Sequence, residues 1–97
     1  MRHFHRTHIK PEEVLAIADT FFPSLALTNA GGDARSRTFR GALGTATLRV
    51  RPEGGHYTFV EAETDQVGES RLDRNVKRFF VAIHRRADPA HTLGAAY

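Results

Sequence analysis

Apolar and polar positions change period along this chain, and the changes mark its elements. Residues 3–9 (His3-Phe4-His5-Arg6-Thr7-His8-Ile9) alternate, which permits a short strand. Pro11 then opens a helix at the position proline favours, with Glu12 and Glu13 in its first turn against the dipole. Val14, Ile17, Ala18 and Phe21 follow at helical spacing and make one apolar face, which Pro23 ends. Ser24 to Thr28 reads as a strand and Ala30-Gly31-Gly32-Asp33 as a turn. Residues 35–43, a corner at Gly41-Ala42-Leu43-Gly44, and an alternating run over 45–51 come next. Pro52-Glu53-Gly54-Gly55 is a strong turn that returns the chain as His56 to Thr64.

The last element carries the sharpest pattern. Leu72, Val76, Phe79, Phe80, Ile83 and Ala87 fall within a stripe of about 100° at 3.6 residues per turn. Arg71, Arg74, Arg78 and Arg85 cluster on nearly the opposite face. Ser70, with Asp73 three residues on, supplies a capped start, although Asp65 also qualifies, and Asp88-Pro89 stops the helix. The expected architecture is α+β: an antiparallel meander of four to five strands, a short N-terminal helix, and a long C-terminal amphipathic helix packed on one sheet face. Residues 1–88 form one domain in this reading, with 89–97 a flexible tail.

This order of elements resembles a shortened helix-grip domain of the START-like (SRPBCC) type. The residues that carry the resemblance are His5 to Phe22 and the Gly68 to Ala87 helix. It implies a curved sheet gripping the last helix, with an apolar groove between them. Full-length members have more strands and residues than this chain provides.

Composition narrows the functional classes. Ninety-seven residues make room for one domain, and the absence of cysteine removes disulfides, thiolate metal sites and a cysteine nucleophile together. No apolar run approaches the roughly 18 residues of a membrane span. The segment Met1-Arg2-His3-Phe4-His5-Arg6 lacks the apolar stretch of a signal peptide, so a cytoplasmic location is expected. The net charge is +3 and twelve of the fourteen basic residues are Arg, a bias that suits phosphate recognition but also arises from codon usage.

If Pro52 to Gly55 is a four-residue loop, Arg51 pairs with His56, Leu48 with Phe59 and Ala46 with Glu61. Leu48, Val50, Tyr57 and Phe59 then face the last helix, and Glu61 and Glu63 point the same way. The expected ligand surface is therefore Arg37, Leu48, Val50, Tyr57, Phe59, Glu61, Phe79 and Ile83, taking a small apolar molecule or a partner protein. Self-association into a homodimer is a further expectation. An alternative places nucleic acid or phosphate on Arg71, Arg74, Lys77, Arg78 and Arg85, with Arg49 and Arg51 in support. Base stacking needs exposed rings interleaved with charge, and none is placed here, since the aromatics fall on the opposite, buried stripe rather than among the arginines. A third reading makes Glu61 the acid or base of a minimal enzyme. His3 and His5 share one side of a strand at a chelating spacing, and Met1-Arg2-His3 matches an amino-terminal Cu²⁺ or Ni²⁺ motif. No metal, cofactor or catalytic residue is assigned from these: no nucleophile elbow, phosphate-binding loop or dinucleotide fingerprint is present.

Overall fold

The structure is a computed structural model that describes residues 1–87; the stop at Asp88-Pro89 and the expected tail at 89–97 lie outside the described residues. Strand β1 (Arg2–Thr7) leads into helix α1 (Pro11–Phe21) and a short 3-10 turn (Pro23–Leu25). Strands β2 (Thr28–Asp33), β3 (Ser36–Gly41), β4 (Gly44–Glu53) and β5 (Tyr57–Thr64) follow, and helix α2 (Arg71–Ala87) ends the described chain. All five strands pair antiparallel in the order β1-β5-β4-β3-β2, and both helices pack on one face. The α+β class and the antiparallel meander of the sequence reading are found.

Local chemistry explains the boundaries. Pro11 occupies the first turn of α1, where its missing N–H costs nothing, and the Glu13 and Val14 amides bond the Lys10 carbonyl. Pro23 does not open a strand over 24–28, as the sequence suggested. It begins the 3-10 turn, which Ala26 closes in the left-handed region at φ 63°, and pairing starts only at Thr28. The expected turn at 30–33 is instead the bulged part of edge strand β2, where Gly31 and Gly32 adopt φ 145° and 151°. Ser70 does cap α2: its Oγ accepts the Asp73 amide at 3.0 Å. Asp65 has another task, accepting the Thr45 amide at 2.9 Å and so tying the end of β5 to the start of β4.

The core lies between the sheet and the two helices. Phe22, Phe39 and Phe79 form its centre, with Phe22 stacked 4.9 Å from Phe39 and 5.0 Å from Phe79. Of the expected α2 stripe, Leu72, Val76, Phe79 and Ile83 are buried, Phe80 is half-buried and Ala87 is exposed.

The register of β4 and β5 departs from expectation. Glu53 pairs with Tyr57, Val50 with Val60, and Leu48 with Ala62, three residues beyond the expected Phe59. The tight loop is Gly54-Gly55-His56, with both glycines at positive φ, and Pro52 and Glu53 belong to the strand. An odd offset exchanges the faces of a strand. Thr58, Val60, Ala62 and Thr64 therefore face the helices, and Tyr57, Phe59, Glu61 and Glu63 face outward. Burying two carboxylates costs more than exposing two rings, and that preference sets the register.

Candidate functional site

The expected groove between sheet and helix does not assemble as one surface. Leu48, Val50, Phe79 and Ile83 are packed into the core at 3% exposure or less. Tyr57, Phe59 and Glu61 stand on the opposite sheet face. Arg37 lies at the margin of the helix side, where Nε donates to Asp19 of α1 at 3.0 Å and Nη1 donates to the Asp33 and Ser36 carbonyls. It fastens α1 to β3. Among the described residues, no buried side-chain nitrogen or oxygen lacks a partner, so no polar group waits inside the core for a ligand.

The pair His3 and His5 does share the helix-facing side of β1, but the rings have separate engagements. His3 Nε2 lies 2.7 Å from Oδ1 of Asp73, which is 1% exposed. Thr64 Oγ1 donates to the same oxygen at 2.8 Å, and Ser70 Oγ donates to Oδ2. Burial pushes the Asp73 carboxyl up, but the bonds from Ser70, His3 and Thr64 and the His3 charge outweigh it and hold the group below its ordinary range. His5 stacks on Phe80 with centroids 5.1 Å apart; burial first, then the charge of His84, lowers its pKa. The terminal amine donates to the carbonyls of Thr64 and Gln66. No group of three or more His, Cys, Asp or Glu side chains suited to a metal occurs among the described residues. These groups bind β1, β5 and α2 together.

Two surfaces carry rows of arginine. The first is the outer face of the sheet, left uncovered by either helix. Phe4 and Phe59 stack there at 5.5 Å, and the Arg51 guanidinium sits 4.5 Å above the Phe59 ring. Phe4 is 54% and Tyr57 44% exposed. Arg2 and Arg49 flank Glu61 and Glu63 at 3.3 to 3.8 Å, and Arg6 meets Glu53 at 2.6 Å. Exposed rings interleaved with arginine thus exist on this face, contrary to expectation. Glu61, with 18% of its side chain exposed, stands between the Arg2 and Arg49 guanidiniums on the outer face of the sheet, not on the helix-facing surface where the acid/base reading placed it.

The second surface is the outer side of α2. At 3.6 residues per turn, Arg71, Arg74, Arg78 and Arg85 lie within an arc of about 60° and span about 21 Å along the axis. All four are exposed, and none has a carboxylate within ion-pair distance among the described residues. Lys77, by contrast, pairs with Glu69 at 3.4 Å, and Arg86 with Glu13 at 3.0 Å. Arg71, Arg74 and Arg78 line a shallow dish of about 330 Å³ with Asn75. A second depression of about 400 Å³ sets Phe21, Val81 and Ala82 between Arg78 and Arg85. Phe21, from α1, is the residue the sequence reading missed here. It was assigned wholly to the core, whereas its ring is only partly covered.

No helix is long and apolar enough to cross a membrane among the described residues. No family model matches the chain, and no curated protein matches it.

Proposed function

We propose that this chain is a non-enzymatic binding module that holds the phosphates of a single-stranded nucleic acid along the arginine stripe of α2. The carrying observation is the row Arg71, Arg74, Arg78 and Arg85, aligned on one face with no carboxylate to neutralise it among the described residues. Guanidiniums without a carboxylate cost little to bring to a phosphate, because no internal ion pair has to be broken first. The partly exposed Phe21 ring and Val81, between Arg78 and Arg85, offer an apolar seat for a base or sugar, which favours a single strand over a duplex. Lys77 and Arg86 contribute less in this reading, since each already has a carboxylate.

The small-ligand reading has less support, because four of its residues fill the core and three stand on the other face of the sheet. The helix-grip resemblance belongs to the same proposal. Strand order β1-β5-β4-β3-β2 and the packing of α2 on one face support it as an architecture, while the filled interior leaves no room for the groove it implies. A cytoplasmic setting is likewise proposed.

The test is fluorescence anisotropy with a labelled single-stranded oligonucleotide. Reversing Arg71, Arg74 and Arg78 to Glu should abolish salt-sensitive binding and leave the circular dichroism spectrum unchanged. Reversal of Arg2, on the far face of the sheet, should leave affinity within about twofold. A loss from the Arg2 reversal about one third of the triple loss on the logarithmic scale, in proportion to the charge removed, would mean that net charge, not the stripe, controls binding.

A further inference from the structure

The uncovered sheet face presents a pattern that fits a second copy of itself. The cross-strand register lays the outward residues out in rows. Arg6, Phe59 and Arg51 lie side by side across β1, β5 and β4, and the next row along is Phe4, Glu61 and Arg49. On β5 and β4 each row thus sets an arginine beside a ring or a carboxylate: Phe59 beside Arg51, and Glu61 beside Arg49. We infer that two copies pack these faces together about a two-fold axis that runs parallel to the strands, between β5 and β4.

That axis places β5 of one copy over β4 of the other. Glu61 then meets Arg49 of the second copy, and Phe59 meets its Arg51, each contact occurring twice because the interface is isologous. Phe4, to the side on β1, and Tyr57, at the start of β5, now 54% and 44% exposed, come under cover. With five strands about 4.8 Å apart and an eight-residue β5, the face measures about 19 by 26 Å, or roughly 490 Å² per copy, at the lower limit of a specific interface. A nucleic acid suits this face less well. Glu53, Glu61 and Glu63 already hold Arg2, Arg6 and Arg49, so phosphates would have to displace carboxylates there and then lie beside them, with Arg51 alone in these rows without a carboxylate among the described residues. The face lies across the sheet from α2, and this inference stands or falls independently of the function proposed above.

Charge-swapped chains test it. Glu61→Arg puts two cations at the pair of positions, and Arg49→Glu puts two anions there, so each variant alone should be monomeric in sedimentation equilibrium. Mixed in equal amounts, they should form a heterodimer, since the reversed charges restore opposite signs on both sides of the axis. The expected dissociation constant of either variant alone is at least about tenfold above that of the native chain, and the mixture restores it. A purely structural role for the pair moves folding but gives no rescue on mixing. If the variants do not fold, the native chain decides: dilution from millimolar to low micromolar should shift the amide resonances of β4 and β5 and leave those of α2 in place. A monomer at millimolar concentration, or a mixture that stays monomeric, overturns the inference.

Discussion

Asp73 offers the sharpest test of how the fold is held. Its carboxylate is buried and receives the His3 ring, the Thr64 hydroxyl and the Ser70 hydroxyl, so one group from the first turn of α2 gathers β1 and the end of β5. Asp73→Ala strands those three donors. Each buried donor left unmade costs about 1–3 kcal/mol. Thr64 is the most enclosed, at 5% exposure. His3 keeps some access to water, with 12% of its side chain exposed, and Ser70 still caps the helix through the residue-73 amide. One full loss and two partial ones total about 3–5 kcal/mol, a large share of the roughly 5–15 kcal/mol expected of a small domain. Urea unfolding followed by far-ultraviolet circular dichroism measures it in a chain without tryptophan. Asp73→Asn keeps one acceptor oxygen and should lose about half as much. The pH dependence has a fixed sign. Because the folded carboxyl titrates below its ordinary value, the unfolded chain binds more protons in the acid range, and stability falls as pH drops below about 4. The native and Asn midpoints should converge there. A loss under about 1 kcal/mol for the Ala variant would show that water or rearrangement satisfies the donors and that the network does not hold the sheet to α2.

Other consequences follow from single positions. His5 is held toward its neutral form, so the unfolded chain takes up a proton first and stability declines as pH falls below about 6.5; His5→Phe should flatten the thermal midpoint across that range. Ala26→Gly relieves a left-handed residue at φ 63° and should raise stability by about 0.5–1 kcal/mol in urea. Gly32→Ala would drive its Cβ into the Ser36 carbonyl oxygen, whereas Gly31→Ala, at similar φ, meets nothing within 4 Å. The first should therefore destabilise the fold by at least about 1 kcal/mol more than the second, again read from urea midpoints.

Much of the fold was legible because its strongest signals are local. The α2 stripe, the Ser70 cap and Pro11 at the start of α1 each state their structure within a few residues. Register was not legible, because it depends on which residues close the β4–β5 loop. Pro52 and Glu53 read as turn residues, yet the two positive-φ glycines and His56 make the turn by themselves. Aromatic Tyr57 and Phe59 pointed toward the core, while Glu61 and Glu63, on the same alternation, pointed to water. The charges decided the face, and the Phe59 ring found cover in Phe4 and Arg51 instead. The arginine stripe was visible from helical spacing alone. Its lack of carboxylate partners among the described residues was not, since that requires knowing that Glu69 reaches Lys77 and Glu13 reaches Arg86.

The measurement that bears most directly on the proposed function is the salt dependence of oligonucleotide binding. Four phosphate contacts on a single strand predict that log K falls with log salt at a slope of about −2.8, and that Arg78→Ala reduces the slope by about 0.7. A slope near zero, or one that the loss of Arg78 leaves unchanged, would contradict phosphate binding by the α2 stripe.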